Sequence, residues 1–99
     1  MSTDVKLAKQ AIHDKLESQI NTAEAKLKTL KARAQTAKAN VELKAITELL
    51  TKKQTIVHKL QELKKSGGDR FEQERADIEA RITDLEKSVK GIESKVHSS

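Results

Sequence analysis

The chain of 99 residues contains no cysteine, no proline, no tryptophan and no tyrosine, and its only aromatic residue is Phe71. The absence of cysteine excludes disulfides and thiol chemistry and is typical of a reducing compartment. With one aromatic side chain the chain cannot fill a thick core, so its apolar groups must form thin seams between elements. Only three glycines are present, so few positions favour a left-handed turn.

Long apolar runs are also missing, because Asp, Glu, Lys and Arg make up 35% of the residues. A helix that spans a bilayer needs about 20 consecutive apolar residues, and the first residues lack the apolar segment of a signal peptide. We therefore expect a cytoplasmic protein without a membrane span. The remaining mixture, rich in Ala, Glu, Lys and Leu, is typical of long helices and coiled coils.

The charge is distributed unevenly. Residues 1–65 carry 14 Lys and Arg against 7 Asp and Glu, whereas residues 66–99 carry 6 against 8. Basic helices can neutralise phosphates in a salt-dependent way, but here no aromatic side chains are interleaved for base stacking. Sequence-blind binding of nucleic acid or another polyanion is therefore the alternative function. Its candidate contacts are Lys26, Lys28, Lys31, Arg33 and Lys38.

The clearest turn signal lies between Leu63 and Phe71, where two of the three glycines occur. Gly67 suits the left-handed residue that closes a helix. Asp69 suits the N-cap of the next helix, with Glu72 three residues later as in a capping box. The pattern predicts a turn over residues 66–69. The hairpin residues are Leu63, Gly67, Gly68, Asp69 and Phe71.

Apolar residues recur at helical spacing before this turn. The stripe runs from Val5 to Leu63 in steps that average 3.6 residues, the repeat of an α-helix. No glycine or proline interrupts it, so one helix over residues 4–65 is the arrangement we prefer. The alternative is a turn near residues 35–40, which gives an up-down-up three-helix bundle.

After the turn, a helix over about residues 70–96 has a cleaner heptad that begins at Phe71 and ends at Val96. The predicted fold class is therefore all-α, an antiparallel coiled-coil hairpin with a long N-terminal helix, in one domain over residues 1–99. The last helix covers residues 38–65 and leaves the earlier seam without a partner. We expect that seam to bind a second copy, preferably as a dimer, or another protein. Its residues are Ile12, Leu16, Ile20, Leu27 and Leu30.

From about Ala23 to Ile92 the chain resembles a group of small bacterial coiled-coil proteins that includes a cyanobacterial stress-response protein. The similarity lies in Lys31-Ala-Arg-Ala-Gln-Thr-Ala-Lys-Ala-Asn40 and in Lys59-Leu-Gln-Glu-Leu-Lys-Lys-Ser-Gly-Gly-Asp69, followed by an aromatic residue two positions later. That group typically has Trp where this chain has Phe71. The resemblance implies a bacterial coiled-coil protein with a stress-related role, and it implies no catalytic residues.

Side chains that could carry catalysis do not cluster in the sequence. His13, His58 and His97 share no short spacing and have no cysteine nearby, so we interpret them as ordinary surface residues. The turn Ser66-Gly-Gly-Asp69 lacks the Lys-Ser or Lys-Thr pair of a phosphate-binding loop. The sequence thus predicts no enzyme activity, no cofactor and no metal site. It favours a protein that acts through helix–helix association.

Overall fold

The computed structural model describes the backbone of residues 2–98 and the side chains of residues 8–96. Over this range the chain forms three helices, α1 (Ser2–Thr36), α2 (Asn40–Leu63) and α3 (Gly68–Ser98). Each helix packs against both others in an elongated bundle of 54 × 17 × 16 Å. The all-α class and the three-helix alternative are confirmed. The preferred single helix over residues 4–65 is wrong, because the chain turns at residues 37–39.

Each helix buries one stripe of apolar side chains at heptad spacing, because this spacing keeps them on the face toward the other two helices. The expectation that the first seam stays uncovered is wrong, since α1 folds back and contacts both α2 and α3. Val5, where the stripe begins, lies outside the described side chains. The buried apolar residues are Leu16, Ile20, Ala23, Leu27, Leu30 and Ala34 in α1, Ile46, Leu49, Ile56, Leu60 and Leu63 in α2, and Phe71, Ile78, Ile82, Leu85, Val89, Ile92 and Val96 in α3.

The connection between α1 and α2 has the hydrogen bonds of a Schellman motif. The N–H of Ala39 donates to the carbonyl of Ala34 at 2.9 Å, and the N–H of Lys38 donates to the carbonyl of Gln35 at 3.2 Å. Lys38 has a φ of 56°, in the left-handed region that glycine usually occupies at this position. The turn therefore forms without a glycine at its left-handed position.

The connection between α2 and α3 ends α2 with tight i to i+3 hydrogen bonds. The N–H groups of Lys65 and Ser66 donate to carbonyls one turn earlier, at 3.0 and 3.1 Å. The left-handed residue is Gly68, with a φ of 60°, so the prediction for Gly67 is wrong. Asp69 lies within the first turn of α3, which begins at Gly68, and therefore does not precede that helix as an N-cap.

Candidate interaction surfaces

The seam residues of α1 lie inside the bundle. Leu16, Ile20, Leu27 and Leu30 are at most 3% exposed, and Ile12 is half-buried at the edge of the same cluster. Because α2 and α3 cover these side chains, a partner cannot reach them while the bundle is closed. Association through this seam therefore requires α1 to separate from the other two helices.

One polar side chain in each helix occupies a core heptad position. His13, Lys53 and Arg75 each lie three or four residues from buried apolar residues of their own helix. His13 is only 6% exposed, so its interpretation as a surface residue is wrong. His58 is exposed, and the side chain of His97 lies outside the described residues. Counting one heptad back from Ile20, or three residues back from Leu16, would have identified His13 from the sequence.

Lys53 of α2 pairs with an acidic residue of α1. Its Nζ donates a hydrogen bond to Oε2 of Glu24, and Nζ of Lys28 lies 3.3 Å from the other oxygen of the same carboxylate. The hydrogen bonds from Lys53 and then Lys28 hold the pKa of Glu24 below its ordinary value. Because the pair lies between two seams, it favours the register that brings these residues together.

His13 lies in an open groove at the end of the bundle near the turn between α2 and α3. Its Nδ1 is buried without a hydrogen bond and lies 3.8 Å from Asp14 and 3.9 Å from Glu17. Nζ of Lys9 is 4.9 Å from the centre of the Phe71 ring, a cation–π contact between α1 and α3. The groove has a volume of about 280 Å³ and is lined by Lys9, Gln10, His13, Leu63, Lys64 and Phe71.

The five basic residues proposed for polyanion contact do not form one cluster. Lys26 lies in the groove between α1 and α3, whereas Lys28 approaches Glu24 on the side of α1 that faces α2. Lys31, Arg33 and Lys38 are exposed at or near the turn between α1 and α2. The sequence of α1 alone could not show this division, because it depends on where α2 and α3 pack.

The groove between α1 and α3 brings together basic residues that are distant in sequence. Lys26 of α1 shares it with Lys87 and Lys90 of α3, over a floor that includes Ala23. Glu86 lies in the same groove, so the positive charge there is partly offset. Three lysines on two helices therefore line one groove with a volume of about 290 Å³.

Several acidic residues of α3 pair with basic residues of the same helix. Arg75 lies 2.5 Å from Glu72 and 2.9 Å from Glu79, and these carboxylates raise the pKa of its guanidinium. Asp77 lies 3.0 Å from Arg81, and 3.7 Å from Lys59 of α2. These pairs engage Glu72, Asp77 and Glu79 mainly with the arginines of the same helix.

The chain also exposes one large apolar side chain close to the first turn. Val41, in the first turn of α2, is 76% exposed. Leu43, Leu50 and Val57 follow along α2 as half-buried neighbours of the core. Val41 would lie on the apolar stripe of a single helix over residues 4–65, but it is not among the α2 residues that face the core of the three-helix bundle. Its exposure therefore follows directly from the turn at residues 37–39.

The described residues contain neither a cluster of metal ligands nor a membrane-spanning helix. Within residues 8–96, no three His, Cys, Asp or Glu side chains come together as a metal site would require. Across residues 2–98, none of the three helices has both the length and the apolar character for crossing a bilayer. No protein family, curated protein or solved structure was found to match the chain. The resemblance to stress-response coiled-coil proteins therefore stays a prediction.

Proposed function

We propose that the chain is a non-enzymatic helical protein that acts through helix–helix association, with a second copy of itself before any other partner. The observation that supports this most is the construction of α1. All of its buried apolar side chains from Leu16 to Ala34 follow a heptad, and heptad seams are made to pack against other helices. Only a three-residue connection, residues 37–39, joins this helix to the rest of the chain.

The hairpin of α2 and α3 is a matching acceptor for such a helix. Both of its helices pack against α1, and Lys53 supplies a specific charged contact for Glu24. If α1 moves away, the hairpin exposes a continuous apolar groove, which is unstable in water. A second α1 helix then restores the same buried area and the same ion pair.

Size-exclusion chromatography with light scattering over a wide concentration series tests the proposal. The protein should be refolded at each concentration, so that helices can pair freely before the bundle closes. We expect a molecular mass that rises from monomer to dimer as the concentration increases. A monomer mass at every concentration would remove self-association as the function.

A stress-related role enters the proposal only through the resemblance in residues 31–40 and 59–69. We expect the protein to become more abundant when the source cells are exposed to heat, salt or oxidants. Quantitative immunoblotting with a housekeeping protein as the control would show this. Constant abundance under all three treatments would remove the stress-related part and leave the association unaffected.

Polyanion binding is the second candidate, and the groove of Lys26, Lys87 and Lys90 favours it. The isoelectric point of about 9.5 and the exposed lysines near the first turn add long-range attraction for phosphates. Binding should be sequence-blind, low-micromolar or weaker, and lost as salt rises. Fluorescence anisotropy with duplex DNA and with RNA should detect it at low salt. Replacing Lys87 and Lys90 by Gln should weaken it more than replacing Lys15 and Lys44, two exposed lysines outside this groove.

A further inference from the structure

The turn between α1 and α2 places a non-glycine residue in a strained conformation in the closed bundle. Lys38 holds a φ of 56°, a conformation in which the Cβ of an L-residue crowds the following carbonyl. Glycine and asparagine accept this conformation more readily than lysine does. In a straight helix Lys38 would return to the right-handed region and lose this strain.

The start of α2 is also incompletely satisfied in the closed bundle. The first N–H groups of a helix need acceptors from outside it. Those of Asn40 and Leu43 donate to the carbonyls of Lys38 and Ala39, but Ala39, at the N-cap position, makes no side-chain hydrogen bond to those of Val41 and Glu42. If the turn straightened, the N–H groups of Val41 and Glu42 would donate to the carbonyls of Ala37 and Lys38, as in any helix interior. The stretch Ala34-Gln-Thr-Ala-Lys-Ala39 consists mainly of strong helix formers.

We propose that two copies of the chain exchange α1 by straightening residues 37–39 into a continuous helix from α1 to α2. The α1 helix of each copy then packs on α2 and α3 of the other copy. This inference rests on the proposed self-association and names its partner, a second copy, and its hinge. The closed and exchanged forms share the buried seams and the ion pair of Glu24 with Lys53, so they differ only at the hinge and in concentration dependence.

The phase of the two seams agrees with this arrangement. The heptad of α1 ends at Ala34 and that of α2 starts at Ile46, and the interval between them is not a whole number of heptads. In a straight helix the second seam therefore points about a third of a turn away from the first. The α1 seam of a straightened chain then packs in one three-helix bundle and its α2 seam packs in the other. The two bundles lie end to end.

Val41 favours a second copy over an unrelated helix as the partner. It is 76% exposed in the closed chain and lies within one turn of the hinge. In the exchanged dimer the two hinge segments run antiparallel beside each other across the two-fold axis, which brings Val41 of each copy close to the hinge of the other. Another helical protein inserted into the hairpin would not provide this contact.

Site-directed cross-linking of the dimer distinguishes exchange from side-by-side association. The chain has no cysteine, so Glu24→Cys with Lys53→Cys places one reactive pair across α1 and α2. Lys59→Cys with Asp77→Cys is the matched control, because this pair joins α2 to α3, which stay together in both forms. Each protein is refolded at high concentration, its monomer and dimer fractions are separated, and both are treated with a short bis-maleimide.

In the dimer fraction we expect the pair at residues 24 and 53 to give covalent dimers on a denaturing gel, and the control pair to give cross-linked monomers. In the monomer fraction both pairs should cross-link within one chain. A dimer in which residues 24 and 53 link only within one chain overturns the exchange and leaves self-association intact. No dimer at any concentration overturns both.

Val41→Lys gives a second readout that does not disturb the ion pair. Because Val41 is exposed in the closed chain, this variant should leave the melting temperature of the monomer unchanged. It should raise the dissociation constant of the dimer at least tenfold, since it places two lysines beside the straightened hinges. An unchanged dissociation constant would contradict the exchanged arrangement.

Discussion

Glu24 of α1 and Lys53 of α2 form an ion pair inside the seam between their helices, with side chains that are 28% and 14% exposed. Lys53 interrupts the apolar stripe of α2 between Leu49 and Ile56, where a leucine would continue the heptad. A partly buried charge is tolerated when a partner meets it, and its loss leaves the other charge uncompensated. This pair therefore contributes more to fixing the register of α1 on α2 than to the stability of the bundle.

Acid should weaken the bundle through Glu24. Its pKa is lowered by Lys53 and Lys28 from the ordinary value of 4.5, so its contribution is present above that value and is lost as the pH falls through the lowered pKa. The free energy of unfolding in urea should hold nearly constant from pH 7 to about 5 and fall below that. Glu24→Gln should reduce this fall, whereas Glu48→Gln, at an exposed position of α2, should not. Equal acid sensitivity in all three proteins would contradict the role of Glu24.

The burial of α1 can be tested by comparing truncation to alanine at a buried and at an exposed position. Leu27 is fully buried and Val41 is 76% exposed. Leu27→Ala should lower the free energy of unfolding by about 3 kcal/mol, because it removes contacts and leaves a cavity. Val41→Ala should change it by less than about 0.5 kcal/mol. If urea denaturation gives similar losses for both, α1 is not part of the core.

The second turn allows a comparison between adjacent glycines. An added Cβ has open space at both Gly67 and Gly68, but only Gly68 has a positive φ, 60°. Gly68→Ala should therefore lower the free energy of unfolding by about 1 kcal/mol, from backbone strain alone. Gly67→Ala should leave it unchanged or raise it slightly, because alanine reduces the freedom of the unfolded chain. The reverse order in thermal unfolding would place the left-handed residue at Gly67.

The second turn and α3 could be predicted from the sequence because strong local signals mark them. Two glycines sit at the turn, and the heptad from Phe71 to Val96 is regular. The first turn could not be found in this way, because Lys38 occupies a position where glycine is the usual signal. The sequence did contain an indirect signal, the change of heptad phase between Ala34 and Ile46, which a straight helix cannot place on one face.

The candidate surfaces were less accessible from the sequence than the helices were. The buried position of His13 follows from the α1 heptad only when the register is fixed by Leu16. The groove around Lys26 depends on Lys87 and Lys90, which lie more than half the chain away. A seam can be read along one helix, whereas a cluster between helices depends on their tertiary packing.

The measurement that tests the account most directly is light scattering on two hinge variants, at a concentration where the native protein is half dimer. Lys38→Gly relieves the left-handed strain of the closed turn and weakens the straight helix, by about 1 kcal/mol each. Lys38→Ile makes the turn less favourable, since a β-branched residue tolerates a positive φ poorly. Lys31→Gly, at an exposed position inside α1, controls for the general effect of glycine.

We expect Lys38→Gly to raise the dissociation constant of the dimer at least tenfold and Lys38→Ile to lower it. Lys31→Gly, which weakens α1 equally in both forms, should change it little. Equal dissociation constants for the two Lys38 variants would contradict the claim that α1 is exchanged through this turn.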